Sequence, residues 1–261
     1  MAAGTIIVDA DTLLYRIGFQ YLGDDADSYI GAISTYLDTV IGEARNHYHL
    51  AHGGVGCEPY IMLSGEGERY RTKFDQESTY KIGRWNAPKP KFVPEMKDYI
   101  RNRKYVRETF TAPAEWGEAD DLVSNFAYEC RQGGTPYIIA GCDKDLLQIP
   151  GWHYNYLKKT SFEISKEQAL KNFFKQLLMG DQGDSIPGIP GIGPKKATWL
   201  LDELNTSEEM WDGVLAAYTN FYAPHGYSDD DIAEMLYERG NKLWLKRRHD
   251  EIWTPPIPTE D

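Results

Sequence analysis

Cysteine is scarce: Cys57, Cys130 and Cys142 are an odd number without metal-type spacing. That pattern excludes a cysteine-held zinc and reads as reduced thiols in a cytosolic protein. Long apolar runs are missing as well. The longest, such as TIIVDA and YIIAG, are strand-sized and far short of a membrane span. No basic start leads into an apolar stretch, so no secretory signal is expected. There is no internal repeat and no low-complexity tract. What is present is ordinary for a globular chain: 261 residues, 41% hydrophobic and 26% charged, which excludes wholesale disorder. The length suits one large domain or two small ones with a buried core.

Positive charge is also short overall, with 28 Lys or Arg against 40 Asp or Glu and a net charge of −12. The total argues against a nucleic-acid partner, but the distribution matters more. Residues 66–107 hold 12 Lys or Arg and 6 Asp or Glu, so this segment is net +6 and the rest of the chain −18. Such a cluster is either a solvated charged face or an electropositive element facing phosphates. Composition does not choose between them.

The run Thr5-Ile6-Ile7-Val8-Asp9 is β-branched and short, as a buried strand should be. A helix is expected over about 12–19 and a second over 28–49, with Ile30, Ile33, Tyr36, Leu37, Val40 and Ile41 at helical spacing. Gly53, Gly54 and Gly56 precede a second strand at 59–63. The stretch 64–114, with Pro88, Pro90, Pro94 and Pro113 among its charges, reads as mobile loop plus short helices. A helix over 118–132 ends at Gly133-Gly134, and strands are expected at 137–140 and 153–156. Helices follow over 166–178 and 229–245, the latter with Ser228 as N-cap. This strand–helix alternation predicts an α/β fold with a mostly parallel central sheet flanked by helices.

Open α/β sheets bind ligands outside the carboxyl ends of their strands. Two strand ends here finish in acid: IIVDAD brings Asp9 and Asp11, and IIAGCDKD brings Asp143 and Asp145. Glu118-Ala119-Asp120-Asp121 opens a helix between them. Acids in a first helical turn complement the helix dipole by about 0.3–1 kcal/mol each, which accounts for one or two of them but not three in four residues. Glu118 and Asp121 share a face, while Asp120 needs a frayed start or a bridging water. Together these acids suggest a divalent-metal site, since like charges so dense repel without a cation. Oxygen ligands without His or Cys point to Mg²⁺ or Mn²⁺. His47, His49 and His52 read instead as the polar end of the second helix.

The most specific segment is Gly188-Ile189-Pro190-Gly191-Ile192-Gly193-Pro194-Lys195-Lys196. Glycines 188, 191 and 193 free backbone N–H groups at a helix start, and Lys195 and Lys196 add charge for a phosphate backbone. No base-reading pattern is visible, so contact is expected to be independent of sequence. A tight turn between two packed helices would use the same glycines. The G-x-x-x-x-G-K-[ST] phosphate loop is absent.

Taken with the preceding Gly180-Asp181 and Asp184, the string GDQGDSIPGIPGIGPKKA resembles the helix-three-turn-helix of the flap endonuclease / 5′-nuclease family. IIVDADTLLYR, TYKIGR, EADD and CDKDLLQIP follow that family's order, so the resemblance covers roughly residues 5–200. The length suits the free-standing bacteriophage 5′→3′ exonucleases better than the 5′-nuclease domain of DNA polymerase I. The resemblance implies a PIN-like nuclease core over 1–165, with a helical arch or clamp at about 66–114. It also implies a helical DNA-binding region over 166–261, with the helix-three-turn-helix at about 177–205.

By the same resemblance, Asp9, Glu118, Asp120 and Asp121 surround a first Mg²⁺, and Asp143, Asp145, Asp181 and Asp184 a second, with Mn²⁺ as the substitute ion. K⁺ is a candidate at the hairpin, where Gly188, Gly191, Ile192, Gly193, Lys195 and Lys196 would hold DNA. Lys81 and Arg84 match the basic pair near the scissile phosphate, and Tyr80 the aromatic that stacks on the terminal base. The family's aspartate at the end of the second strand is replaced by Ser64, so either the first metal loses a ligand or Glu66 or Glu68 substitutes, with Glu66 favoured. Asp11 stands where the family often has no acid and is a candidate structural residue.

The implied function is structure-specific hydrolysis of DNA phosphodiesters by two metal ions. The implied partners are duplexes with a free 5′ end, nick or 5′ flap, with RNA of an RNA–DNA hybrid left open. A monomer in the cytoplasm (the host's, for a phage enzyme) and no membrane partner are expected, in replication or repair. Two rivals remain. A haloacid-dehalogenase-like phosphatase would use Asp9 as nucleophile, Asp11 as acid/base, with Ser64 and Lys81 in support. A non-catalytic DNA-binding module would use the hairpin alone.

Overall fold

The computed structural model describes residues 4–21, 23–54, 56–67, 70–76, 79–85, 88–113 and 116–256. In chain order the elements are β1 (Gly4–Asp9), α1 (Ala10–Gly18), α2 (Ala26–His52), β2 (Cys57–Ser64), α3 (Ile82–Trp85), α4 (Val93–Tyr99), β3 (Thr109–Ala112), α5 (Ala119–Gln132) and β4 (Tyr137–Ala140). Then come β5 (Gly151–Asn155), β6 (Thr160–Ile164), α6 (Lys166–Met179), β7 (Gly180–Asp181), β8 (Ile186–Pro187), α7 (Pro194–Leu201), α8 (Ser207–Tyr222) and α9 (Asp229–Leu243). No described helix is long and apolar enough to cross a membrane.

The chain forms two compact units. The first comprises Met1–Arg69, Pro88–Ile164 and Leu245–His249. Its sheet runs β3-β2-β1-β4-β5-β6, parallel except for the antiparallel β5–β6 pair. β1 is buried along its whole length, and its alternating side chains serve two cores. Ile6 and Val8 join Leu13, Ile33, Leu37 and Met96 on one side, whereas Ile7 joins Met62, Val123 and Ile139 on the other. Strand order reverses between β2 and β4 on either side of β1, the topological switch point at which open α/β sheets bind ligands.

The second unit comprises Tyr70–Ala87, Ser165–Trp244 and Asp250–Asp261. Phe173, Leu177, Leu201, Val214, Tyr218 and Leu236 are fully or almost fully buried in its helical core. Ser228 caps α9 by accepting from the Asp231 N–H at 3.2 Å.

Two features depart from the sequence expectations. A single boundary near 165 does not describe the division, and the expected arch at 66–114 is shared between the units. Residues 70–87 belong to the second unit because Arg71 is buried there, donating to the carbonyls of Lys242 and Trp244 at 3.0 Å each, and Lys242 pairs with Asp75 at 2.5 Å. The segment Leu245–His249 returns to the first unit. The other departure is β3, which lies in the stretch expected to be loop and short helices. It is a four-residue edge strand pairing with Ile61–Ser64 of β2, too short for its alternation to stand out among prolines and charges.

Candidate active site

In the first unit the acids gather at the carboxyl edge of β1 and β4. Asp9 closes β1 at 3% exposure. Parallel pairing of Val8 with Ala140 makes the following residues neighbours across the switch point. Burial pushes the Asp9 carboxyl from 3.8 up to about 7, opposed by a hydrogen bond from Thr12 and reinforced by the charges of Asp11 and Asp143. Asp143 accepts from the Asp145 N–H at 3.0 Å, which shapes the 3₁₀ turn after β4.

The start of α5 adds three carboxylates. Asp121 is fully buried and accepts from the Glu118 N–H and the Lys246 N–H, both at 2.9 Å. Asp120 accepts from the Asp121 N–H at 2.8 Å, and Glu118 is 7% exposed at the N-cap. Ser64, at the end of β2, accepts from the Ala119 N–H at 2.8 Å. Asp11 sits on the other side of that serine. One oxygen accepts from the Ser64 N–H at 3.2 Å and the other lies 2.8 Å from the Lys97 ammonium. Buried Asp9, with the charges of Asp11 and Asp143 beside it, and the acid turn of α5 supply oxygen donors of the kind a hard divalent cation takes.

In the second unit, α6 runs into the β7–β8 hairpin, which carries Asp181 and Asp184, 4% and 8% exposed. Asp181 accepts from the Gly183 N–H at 2.8 Å. Lys81 packs on the same turn: its N–H donates to the Asp184 carbonyl at 2.8 Å and its ammonium lies 3.5 Å from the Asp184 carboxylate. Lys81 and Ser185 hold left-handed backbone, φ +55° and +59°. For non-glycine residues that costs about 1 kcal/mol or more, a kind of strain that concentrates at functional sites.

After the hairpin, Gly188 approaches the backbone so closely that a Cβ would sit 2.1 Å from the Met179 carbonyl carbon. Gly191, at φ +79°, and Gly193, the N-cap of α7, face open space. Lys195, Lys196 and Trp199 follow on α7, all exposed, with Trp199 at 75%.

No family model matches the chain. Over 229 residues it is 26% identical to the 5′-3′ exonuclease of Buchnera aphidicola subsp. Schizaphis graminum, covering 80% of this chain and 73% of that protein. It is 28% identical over 205 residues to flap endonuclease Xni of Shewanella amazonensis, covering 75% and 76%. The zinc-bound T5 5′-exonuclease superposes with a TM-score of 0.65 at 17% identity, covering 92% of this chain and 88% of that one, and shows a shared fold. The chain belongs to the flap endonuclease / 5′-nuclease family.

Several residues expected to act in this 5′-nuclease take other places. Tyr80 does not offer a face for stacking: it is 2% exposed in the helical core of the second unit, with the Lys81 ammonium 5.0 Å from its ring centre. Ile192 is buried and its N–H donates to Ile189, so with Gly188 it shapes the hairpin, leaving Gly191 and Gly193 as the open glycines. Glu66 lies exposed in the bend after β2, and Glu68 falls outside the described residues. The carboxylate bonded to the end of β2 is Asp11, from α1. The Arg84 side chain also lies outside the described residues, although its backbone belongs to α3. His47 accepts from or donates to the Ser161 hydroxyl at 2.9 Å and His52 contacts the Tyr137 carbonyl at 3.1 Å, which fits the structural role read for that cluster.

The phosphatase alternative fails on two points. GDQGD follows the helix α6 rather than a strand, and Asp11 is committed to Lys97 and Ser64 rather than poised as an acid. Sequence reasoning missed Lys97 as a site residue, because a lone lysine in a charged stretch carries no spacing signal.

Proposed function

We propose that this chain is a structure-specific 5′→3′ DNA exonuclease and flap endonuclease that hydrolyses phosphodiesters with two Mg²⁺ ions, Mn²⁺ substituting. The observation that carries the reading is Asp9: a buried carboxyl at the switch-point end of β1, with the charges of Asp11 and Asp143 beside it. When bound, divalent cations supply Lewis-acid activation of the attacking water and the leaving oxygen. The resemblance assigns Asp9, Glu118, Asp120 and Asp121 to one ion and Asp143, Asp145, Asp181 and Asp184 to the other. Lys81, with Arg84, offsets charge growing on the phosphoryl oxygens. The open backbone at Gly191 and Gly193, with Lys195 and Lys196, receives a duplex backbone, and K⁺ is the proposed ion of that hairpin.

The proposed substrates are duplexes with a free 5′ end, nick or 5′ flap, as in replication and repair. RNA in an RNA–DNA hybrid is included as a substrate to test. A monomer acting in the cytoplasm completes the reading, in keeping with three free cysteines. The test is Mg²⁺-dependent digestion of 5′-end-labelled blunt, nicked and flapped duplexes, scored by product length. Asp143→Asn is expected to lose nearly all cleavage while retaining duplex binding. Wild-type turnover by that variant, or activity undiminished in EDTA, overturns the proposal.

A further inference from the structure

The left-handed backbone of Lys81 is flanked by three successive bonded amides. The Lys81 N–H donates to the Asp184 carbonyl at 2.8 Å and the Ile82 N–H to the Thr79 carbonyl at 3.0 Å. The Tyr80 N–H donates to the Asp75 carboxylate at 2.6 Å. A strained conformation persists only where its surroundings over-determine it. Two of these acceptors are backbone carbonyls, which any sequence supplies. The third exists only because residue 75 carries a side-chain oxygen.

Asp75 is itself fixed from α9. Its Oδ1 lies 2.5 Å from the Lys242 ammonium and accepts from the Thr79 hydroxyl at 3.3 Å, while Oδ2 takes the Tyr80 N–H. The Lys242 and Asp75 side chains are 2% and 3% exposed. Lys242 also meets Glu238, one turn back on α9, at 2.5 Å, and its carbonyl accepts from Arg71 at 3.0 Å. Burial opposes charge on Asp75, but the bonds from Lys242, the Tyr80 N–H and Thr79 outweigh it and hold the carboxyl below its ordinary value. A buried ion pair is weak evidence for stability, because well-packed apolar residues of similar volume often serve as well. What apolar residues cannot do here is accept the Tyr80 N–H. The pair supplies an oriented, charge-assisted acceptor directly behind Lys81.

We propose that Asp75, fixed by Lys242, is the positioning residue that aims the Lys81 ammonium. The proposal rests on the reading of Lys81 as the cation that offsets phosphoryl charge. Its test uses two double variants of the full chain. Asp75→Asn with Lys242→Met removes both charges but keeps a side-chain oxygen for the Tyr80 N–H, with Thr79 left as partner for the amide NH₂. Asp75→Leu with Lys242→Met makes the site apolar and removes that oxygen, and Asp75→Ala with Lys242→Met is the smaller apolar version should the leucine fail to fold. Tm, duplex affinity in EDTA, hydrogen exchange of the Tyr80 amide, and single-turnover cleavage of a saturating flapped duplex in Mg²⁺ are measured for each. The asparagine variant is expected to protect the Tyr80 amide and cleave at close to the wild-type rate. The apolar variant is expected to bind duplex as tightly as wild type, exchange the Tyr80 amide faster, and cleave roughly tenfold more slowly or worse. A purely structural role would instead move Tm and leave the two variants alike in rate. Wild-type cleavage by the folded apolar variant overturns the proposal, as does an equal loss in both variants or a Tyr80 amide equally protected in both. Wild-type cleavage by Lys81→Met is a separate failure, which removes the reading of Lys81 and the proposal with it.

Discussion

Lys97 lies 2.8 Å from Asp11 and donates to the Ser64 carbonyl at 2.9 Å, so one ammonium from α4 holds both the start of α1 and the end of β2. Ser64 in turn accepts from the Ala119 N–H, and a chain of polar contacts runs from Lys97 to the acid turn of α5. The Lys97 and Asp11 side chains are only 17% and 20% exposed, so the pair is screened less than a surface ion pair. Lys97→Met keeps the apolar stem and removes the charge. It is expected to cost about 1–3 kcal/mol and lower Tm by several degrees. A double-mutant cycle with Asp11→Asn should show coupling between the two sites, and strict additivity would show that the contact is idle.

Asp9 gives the metal-free protein an unusual pH response. Its folded pKa of about 7 lies above the ordinary 3.8, so between those values the folded state holds a proton that the unfolded chain has released. Stability contributed by this group therefore falls as pH rises from about 4 to about 7 and is level outside that window. In EDTA, Asp9→Asn should match the wild type near pH 4 and become progressively more stable than it toward pH 7. Mg²⁺ should raise the wild-type Tm at pH 8 more than at pH 5, and raise that of Asp9→Asn little. Thermal melts across pH check both, and a variant no more stable than wild type at pH 7.5 removes Asp9 from the centre of the site.

Where the sequence carried a period or a terminus, the fold was legible from it. β1, β4, α5 and α6 fall within a few residues of their expected bounds, since a β-branched run, a capping residue and a Gly-Gly stop are local signals. The edge acids were legible for the same reason: strands end where apolar runs end, and Asp9 and Asp143 stand there. Pairings decided by packing were not legible. Arg71 reads as one more charge in a basic segment, yet it is buried beneath Lys242 and Trp244 carbonyls that lie some 170 residues away. The acid at the end of β2 comes from α1, so no count along β2 could find it. Tyr80 looks like a surface aromatic beside two cations, and only the core around Phe173 and Leu177 shows otherwise.

Lys81 tests whether its backbone strain serves its charge. A glycine adopts φ +55° freely, so Lys81→Gly relieves the strain while losing the ammonium beside Asp184. Its stability should stay within about 1 kcal/mol of wild type, because the relief is offset by the added freedom of the unfolded chain. Cleavage should fall at least a hundredfold in both Lys81→Gly and Lys81→Met, measured as single-turnover rates on a flapped duplex. Retained cleavage in Lys81→Gly would mean that the position matters for its turn alone.

The first two turns of α7 separate two kinds of nucleic-acid contact. Lys195 and Lys196 are exposed and, on the proposed reading, each neutralises a phosphate. Removing either should reduce the slope of log affinity against log salt by about one and weaken all duplex sequences alike. Trp199 stands one turn on from both and is 75% exposed, a large apolar surface to leave in water. If it packs on sugar or base edges, Trp199→Ala should weaken duplex binding roughly tenfold at every salt concentration and leave the slope unchanged. Fluorescence anisotropy in EDTA, so that the duplex is not cut, provides both slopes. A Trp199→Ala variant that binds as tightly as its parent would show that the DNA passes α7 on its lysines alone.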